Sequence, residues 1–245
     1  AAAAVLARAA LGLARAGFLA VACGAALTAL GCLVGLLFGL RPHETAAVVV
    51  AMVLAVTRAV PQLATWLAGL VAEPVPTPPE EFQQGLDPLP SKDVLDRAAV
   101  ADAHLTAFLV VLGAVSSGAL LVLTSHLAWD TAALGIVVAT LLLLQARELR
   151  GTWHRAAALV PAAAALVSVL LRWVVDLPLL GQVCVLVGLL GLAGNALAGA
   201  QVLPGRRLVP RWGRIGDVVH WVCALAVLAL VLTVTGFYGA VATWL

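Results

Sequence analysis

Long apolar runs dominate the sequence and determine its fold class. A helix that crosses a bilayer needs about 20 mostly apolar residues. Seven segments meet this requirement, and they lie at about Phe18 to Leu40, Glu44 to Leu70, His104 to Ser125, Trp129 to Gln145, Trp153 to Val175, Leu177 to Leu203 and Ile215 to Thr243. Charged residues make up only 11% of the chain, whereas a soluble domain has about 25%. The sequence therefore predicts an all-α, polytopic membrane protein with about seven transmembrane helices.

Pro61 interrupts the second of these segments. A proline removes one backbone donor, and it disfavours helical geometry at the residue before it. We therefore expect the second span to kink near Val60. The residues from Gln62 to Leu70 should then lie along the membrane face or leave it.

The basic residues are divided unequally between the two sides of the predicted membrane. If successive connections alternate sides, one side receives 12 of the 14 basic residues. These are Arg8, Arg15, Arg58, Lys92, Arg97, Arg147, Arg150, Arg155, Arg206, Arg207, Arg211 and Arg214, and the other side receives Arg41 and Arg172. Because Lys and Arg accumulate on the cytoplasmic side of a bilayer, the sequence predicts the N-terminus inside and the C-terminus outside.

One long polar segment, residues 73–102, divides the chain. It contains seven of the twelve acidic residues and six of the twelve prolines. We expect three regions: residues 1–72 with a cytoplasmic N-terminal segment and two spans, residues 73–102 as an acidic, Pro-rich cytoplasmic loop, and residues 103–245 with five further spans. Glu73 to Pro90 should be extended, since it has no hydrophobic periodicity. From Ser91 onwards we expect a helix that runs straight into the third span.

The spans carry few groups suited to chemistry. The sequence has no phosphate loop, hydrolase elbow or zinc motif, and its four cysteines have no paired spacing. His126 with Asp130, or His43 with Glu44, could bind a metal ion only as weak two-residue sites. The hydroxyls in the middle of the spans should bond their own helices. We expect no catalytic, cofactor-binding or metal-binding residues and no nucleic-acid partner.

Small residues at helical spacing indicate close helix packing. Such residues occur in the first, third and sixth spans, where they are Gly31, Gly35 and Gly39, then Gly113 and Ser117, and finally Gly191 and Gly194 with the polar Asn195. The first set could pack within the chain or against another subunit, and the sequence leaves both alternatives open.

Two stretches around the polar segment resemble a known family. They are RAVPQLATWLAGLVAEPVPTPPEEF (Arg58 to Phe82) and LPSKDVLDRAAVADAHLT (Leu89 to Thr106). The tail adds a basic segment from Arg207 to Asp217 and a last span with the sequence GFYGA. Together these stretches resemble EccD, a polytopic inner-membrane component of the mycobacterial type VII (ESX) secretion system.

The resemblance implies a structural scaffold and not an enzyme. A member of this family has an N-terminal ubiquitin-like domain and about eleven spans, so this chain would be the C-terminal transmembrane portion. It would lie in the bacterial inner membrane, pair with a second EccD copy around membrane lipids, and assemble with EccB, EccE and the EccC ATPase. The polar segment would contact these partners from the cytoplasm.

The residues that we expect to dock partners lie in the polar segment. They are Pro76, Glu80, Glu81, Phe82, Pro90, Asp93, Val94, Leu95, Arg97 and Asp102. The alternative function is that of a secondary transporter or permease. A transporter should have charged or broken-helix sites at corresponding positions of two repeats, and the sequence shows no such repeat.

The predicted orientation can be tested by labelling. A cysteine introduced at Gln84, in a background without the native cysteines, should not react with a membrane-impermeant maleimide added to intact cells. The same cysteine should react after the cells are opened. Efficient labelling of intact cells would invert the topology.

Overall fold

The protein is all-helical over the residues described by its computed structural model, which are 2–70, 91–126, 128–149, 151–175, 177–187 and 211–238. The helices are α1 (Ala2–Phe38), α2 (Pro42–Leu67), α3 (Ser91–Leu123), α4 (Trp129–Glu148), α5 (Thr152–Val175), α6 (described over 179–187) and α7 (Arg211–Val234). All of these except α6 are long and apolar enough to cross a membrane. The predicted fold class is therefore confirmed. The rest of the sixth predicted span lies outside the described residues.

The predicted continuity of the third span with the segment before it is also confirmed. A single helix, α3, begins at Ser91 and ends at Leu123 without interruption. Asp93 lies in its first turn, where a carboxylate interacts favourably with the helix dipole. The helical half of the polar segment and the third span are therefore one structural element.

Helix α2 continues through Pro61 and ends at Leu67. Val60 and Ala64 are buried on either side of the proline, and Leu63 and Leu67 pack against the core. In contrast to the prediction, the turns after Pro61 stay in the bundle. A proline removes only one backbone hydrogen bond of the helix, and the packing of both flanking turns keeps the helix in place.

Helices α2 and α3 are at the centre of the bundle. Helix α3 packs against α1, α2 and α5, while α2 also packs against α1 and α7, and α4 packs against α5 and α7. One buried cluster joins α2, α3, α4, α5 and α7, and it includes Leu120, Leu134 and Val138. A second cluster joins α1, α2 and α3, and it includes Phe108 and Leu112. Since α2 and α3 contribute to both clusters, they hold the two halves of the bundle together.

Small side chains fill much of the interior, while many large apolar side chains face outwards. Helix α5 buries Ala158, Pro161, Ala162 and Ala165. Phe18 and Leu36, by contrast, are among the exposed hydrophobic residues. This distribution suits a bilayer, where lipid solvates the outer apolar surface and small residues let helices approach closely.

Three glycines of the predicted packing positions, Gly31, Gly35 and Gly113, lie against other helices of the same chain. A methyl group at Gly31 would collide with Val49 of α2, and one at Gly113 would collide with the backbone carbonyl of Ala157 in α5. Gly35 lies in the same way against Thr45. Gly31 and Gly35 therefore pack against α2. Of the two alternatives, this is packing within the chain.

Gly39 differs from the other two glycines of this set, and its assignment to a packing ladder is wrong. It lies after the end of α1 with φ +64, and an added Cβ would have no atom within 4 Å. The N–H of Leu40 donates to the carbonyl of Gly35 over 2.8 Å, as in a helix C-terminus closed by a left-handed residue. Gly39 therefore terminates the helix.

The contact between Gly113 and Ala157 can be tested with a matched pair of substitutions. We expect Gly113→Ala to lower the free energy of unfolding by about 1–3 kcal/mol, because the new methyl overpacks α3 against the α5 backbone. Gly118→Ala should be neutral or stabilising, since nothing lies within 4 Å of the added Cβ. Unfolding of the purified protein in detergent measures both. Equal stability of the two variants would contradict the close contact.

Candidate functional site

The N-terminal part of α3 projects beyond the apolar bundle. Its 33 residues correspond to about 50 Å of helix, whereas the hydrocarbon core of a bilayer is about 30 Å thick. All residues from 93 to 100 are exposed. Leu95 is 68% exposed although it is apolar. We refer to residues 91–102 as the α3 projection.

One hydrogen bond ties the α3 projection to the end of α2. Arg97 Nη1 donates to the backbone carbonyl of Gly69 over 3.1 Å. This bond orients the Arg97 face of the projection towards α2. Leu95 is offset from Arg97 by about 200° around the helix axis, so it points away from α2. Asp102 lies seven residues after Leu95, two turns along the same face.

A second polar group joins the base of the projection to α5. Thr106 Oγ1 lies 2.7 Å from His154 Nε2, and it also donates to the carbonyl of Asp102 over 2.8 Å. The carboxylate Oδ1 of Asp102 lies 3.7 Å from the same imidazole nitrogen. His154 is buried, while the Asp102 side chain is 71% exposed. A cleft of about 400 Å³ opens beside them, lined also by Trp153.

This group contains a hydroxyl, an imidazole and a carboxylate, but its geometry differs from that of a nucleophilic relay. In such a relay the hydroxyl gives its proton to one ring nitrogen and the carboxylate holds the other. Here the Thr106 hydroxyl donates to a backbone carbonyl, and both Thr106 and Asp102 face Nε2. The arrangement fixes the position of α3 on α5 and leaves one carboxylate oriented towards solvent.

An ion pair at the same end joins α4 to α7. Arg147 Nη2 lies 2.9 Å from Asp217 Oδ1. The two residues are 70 positions apart in the sequence. Arg155 Nε also donates to the carbonyl of Leu149 over 2.7 Å, which closes the short connection between α4 and α5.

These contacts bring together the arginines that the charge count assigned to one side of the membrane. Arg97, Arg147 and Arg155 all make polar contacts at one end of the bundle. We call it the basic end, and its arginines include Arg15, Arg58, Arg97, Arg147, Arg155 and Arg214. That the basic end faces the cytoplasm stays a prediction.

The other end carries a pair of histidines. The rings of His43 and His126 are stacked, with their centroids 4.2 Å apart and an angle of 17° between their planes. His43 Nε2 is 3.8 Å from Glu44 Oε1. Within the described part of the chain, no group of three or more His, Cys, Asp or Glu residues is arranged to hold a metal ion. The stack joins the first turn of α2 to the α3–α4 connection.

The polar residues in the middle of the spans bond mainly to their own helices, as predicted. Hydroxyl donors to the carbonyl four residues earlier are Thr28, Ser117, Thr140, Thr233 and Thr235. One bond crosses between helices: Thr124 Oγ1 donates to Ser168 Oγ over 2.8 Å. These residues serve packing within the bundle.

The structure describes only some of the predicted site residues. Asp93, Val94, Leu95, Arg97 and Asp102 lie together on the α3 projection. The predicted packing residues of the first and third spans are also described. The remaining predicted residues fall outside the described ranges, and they are Pro76, Glu80, Glu81, Phe82, Pro90, Gly191, Gly194 and Asn195. Sequence reasoning missed the links of His154 with Thr106, Arg147 with Asp217 and His43 with His126, because their partners are far apart in the chain.

Comparisons with known proteins identify a matching family and a solved structure with a similar fold. The family described as "EccD-like transmembrane domain" matches residues 1–244. A solved structure, described as "protomer 1 of the ESX-3 core complex", is similar with a TM-score of 0.64 and 18% sequence identity. The match covers 89% of this chain and 51% of that chain, so this chain spans about half the length of its structural neighbour. No curated protein gives a significant match.

The Arg147–Asp217 pair should contribute little to stability. The two side chains are 41% and 65% exposed, and exposed pairs contribute about 0.2–1 kcal/mol because solvent screens them. A double-mutant cycle with Arg147→Gln and Asp217→Asn, read out by unfolding in detergent, should give a coupling free energy below about 1 kcal/mol. A coupling of several kcal/mol would show that the pair is shielded from water.

Proposed function

Since this chain belongs to the EccD-like transmembrane domain family, we propose that it acts as a structural scaffold in the membrane core of a type VII (ESX) secretion complex. Its multi-pass helical bundle anchors the assembly in the bilayer. The polar segment and the α3 projection dock partner proteins outside the membrane. In this role the protein positions other components and carries out no reaction.

The observation that carries this proposal is the exposed α3 projection. It presents apolar Leu95 together with the exposed carboxylate of Asp102, two turns along the same face. An apolar centre with a polar rim is typical of a protein contact. Because the projection is continuous with the central helix of the bundle, a partner bound there is held rigidly to the membrane domain.

The cleft beside Asp102 adds a recess to this surface. Asp102 lines it with an exposed carboxylate, and Trp153 lines it with an exposed ring. Aromatic rings and pocket-filling anchors dominate the energetics of protein interfaces. We propose that the partner contact extends from Leu95 along the shared helix face to this cleft.

The proposed partners follow from the family. They are a second EccD copy, EccB, EccE and the EccC ATPase, with lipids of the inner membrane around the bundle. The ATPase would supply the energy for secretion. The docking segment would face the cytoplasm, in agreement with the positive-inside count. The similarity to a protomer of a core complex supports a multi-subunit setting.

The packing of the spans favours this scaffold role over the alternative of a transporter. Transport pathways carry ionisable residues or broken helices near the membrane midplane. Near the middle of the described spans, the hydroxyls of Thr28, Ser117 and Thr140 bond to carbonyls of their own helices. This arrangement leaves the α3 projection as the best-supported functional surface.

Docking can be tested in the full-length protein with two groups of variants. Leu95→Ala, and separately Glu80→Ala with Glu81→Ala and Phe82→Ala, should leave membrane insertion intact but reduce co-purification of partner subunits. Loss of a buried leucine side chain at an interface should weaken binding about tenfold or more. The measurement is the yield of each partner after detergent extraction and affinity purification.

Val100→Ala is the matched control, because Val100 is an exposed aliphatic residue on a different face of the same helix. It should retain all partners. Full retention of partners by both Leu95→Ala and the triple variant would contradict docking through this segment.

A further inference from the structure

A groove between α2 and α7 opens on the side of the basic end. Its volume is about 480 Å³, and it is lined by Arg58, Asp217, His220, Trp221 and Ala224. Sites for small ligands and headgroups have volumes of about 300–1,000 Å³. The α3 projection does not contribute to this groove, so docking through the projection does not account for it.

Arg58 lies inside a membrane-spanning helix. It is nine residues before Leu67, the last residue of α2, which is about 14 Å along the helix axis. Its side chain is exposed on the bundle surface. No carboxylate of the described residues forms an ion pair with it. An arginine at this depth is costly unless an anion or water neutralises it, and its long side chain extends towards the headgroup layer, where lipid phosphates are the available anions.

The one carboxylate in the groove is already engaged. Asp217 is paired with Arg147 over 2.9 Å, and the Arg147 guanidinium also lies against Gly216. Arg214 is exposed one turn before Asp217 on the same face of α7. Among the described residues, the groove and its rim carry Arg58, Arg147 and Arg214 against the single carboxylate of Asp217, which gives a net positive charge.

Trp221 lines the same groove and is 71% exposed. Tryptophan side chains concentrate at the depth of the lipid headgroups, where the ring is in the apolar layer and its N–H reaches water. Trp221 lies one turn after Asp217 on α7, so the arginines and this ring lie within the same layer of the bilayer.

From these features we infer that the α2–α7 groove binds the phosphate of an anionic phospholipid headgroup, with Arg58 as its principal ligand and Arg214 on the rim. A guanidinium binds phosphate oxygens through two parallel N–H bonds. Basic recesses between spanning helices are suited to anionic headgroups. The exposed apolar face of α7, which includes Val218, Val222 and Leu225, then accommodates the acyl chains.

The site can be tested on purified full-length protein in a neutral detergent. Phosphatidylglycerol, phosphatidylcholine and inorganic phosphate are each titrated, and thermal unfolding and native mass spectrometry report binding. Phosphatidylglycerol should raise the melting temperature of the wild-type protein and remain bound in the mass spectrum. Arg58→Gln should need about tenfold more of this lipid for the same effect.

Two variants serve as controls. Arg58→Lys keeps the charge and should retain most of the binding. Arg172→Gln removes an exposed arginine outside the basic end and should bind like the wild-type protein. If Arg58→Gln fails to insert, Arg214→Gln replaces it, with an expected loss of about threefold, since Arg214 is on the rim.

Two results would overturn the proposal. The first is an increase in melting temperature with phosphatidylglycerol that is the same in Arg58→Gln, or in its replacement Arg214→Gln, as in the wild-type protein. The second is an equal effect of inorganic phosphate or phosphatidylcholine, because the site would then bind a soluble anion or any lipid. Both results leave the docking proposal untouched, since partner co-purification through Leu95 is measured separately.

Discussion

Close contact between helix backbones is the constraint on which this structure depends. In a bilayer, two apolar helices gain little by leaving lipid for each other, so their association rests on packing and polar bonds. Gly113 allows α3 to approach the backbone of α5 at Ala157, and Gly31 allows α1 to approach α2 at Val49. These contacts place α3 at the centre of the bundle, and the position of α3 in turn determines where its projection lies.

Polar contacts between helices are concentrated at the two ends of the bundle. At the basic end, Arg147 reaches Asp217 and Thr106 reaches His154. At the other end, the imidazoles of His43 and His126 are stacked. The Arg147–Asp217 pair is exposed and adds little free energy. The main effect of these contacts is geometric. Each contact joins specific atoms and so fixes how far one helix is shifted along its neighbour.

The sequence was sufficient to predict the elements and one part of the candidate site. The lengths of the apolar segments predicted the spans. The acidic residues at the helix start before the third span predicted that α3 is continuous. The pairing of Arg147 with Asp217 could not be predicted, because it depends on the placement of α4 beside α7. Gly39 misled the prediction, since its spacing from Gly35 suits a packing ladder. Only its positive φ shows that the helix has ended.

The continuity of α3 also has a mechanical consequence. The helix contains no proline, and it contributes buried side chains to both clusters of the core. Its two ends belong to one unbroken helix, so the distance between the α3 projection and the end near the His43–His126 stack is set by the helical rise alone. The helix thus fixes the separation between the two faces of the bundle.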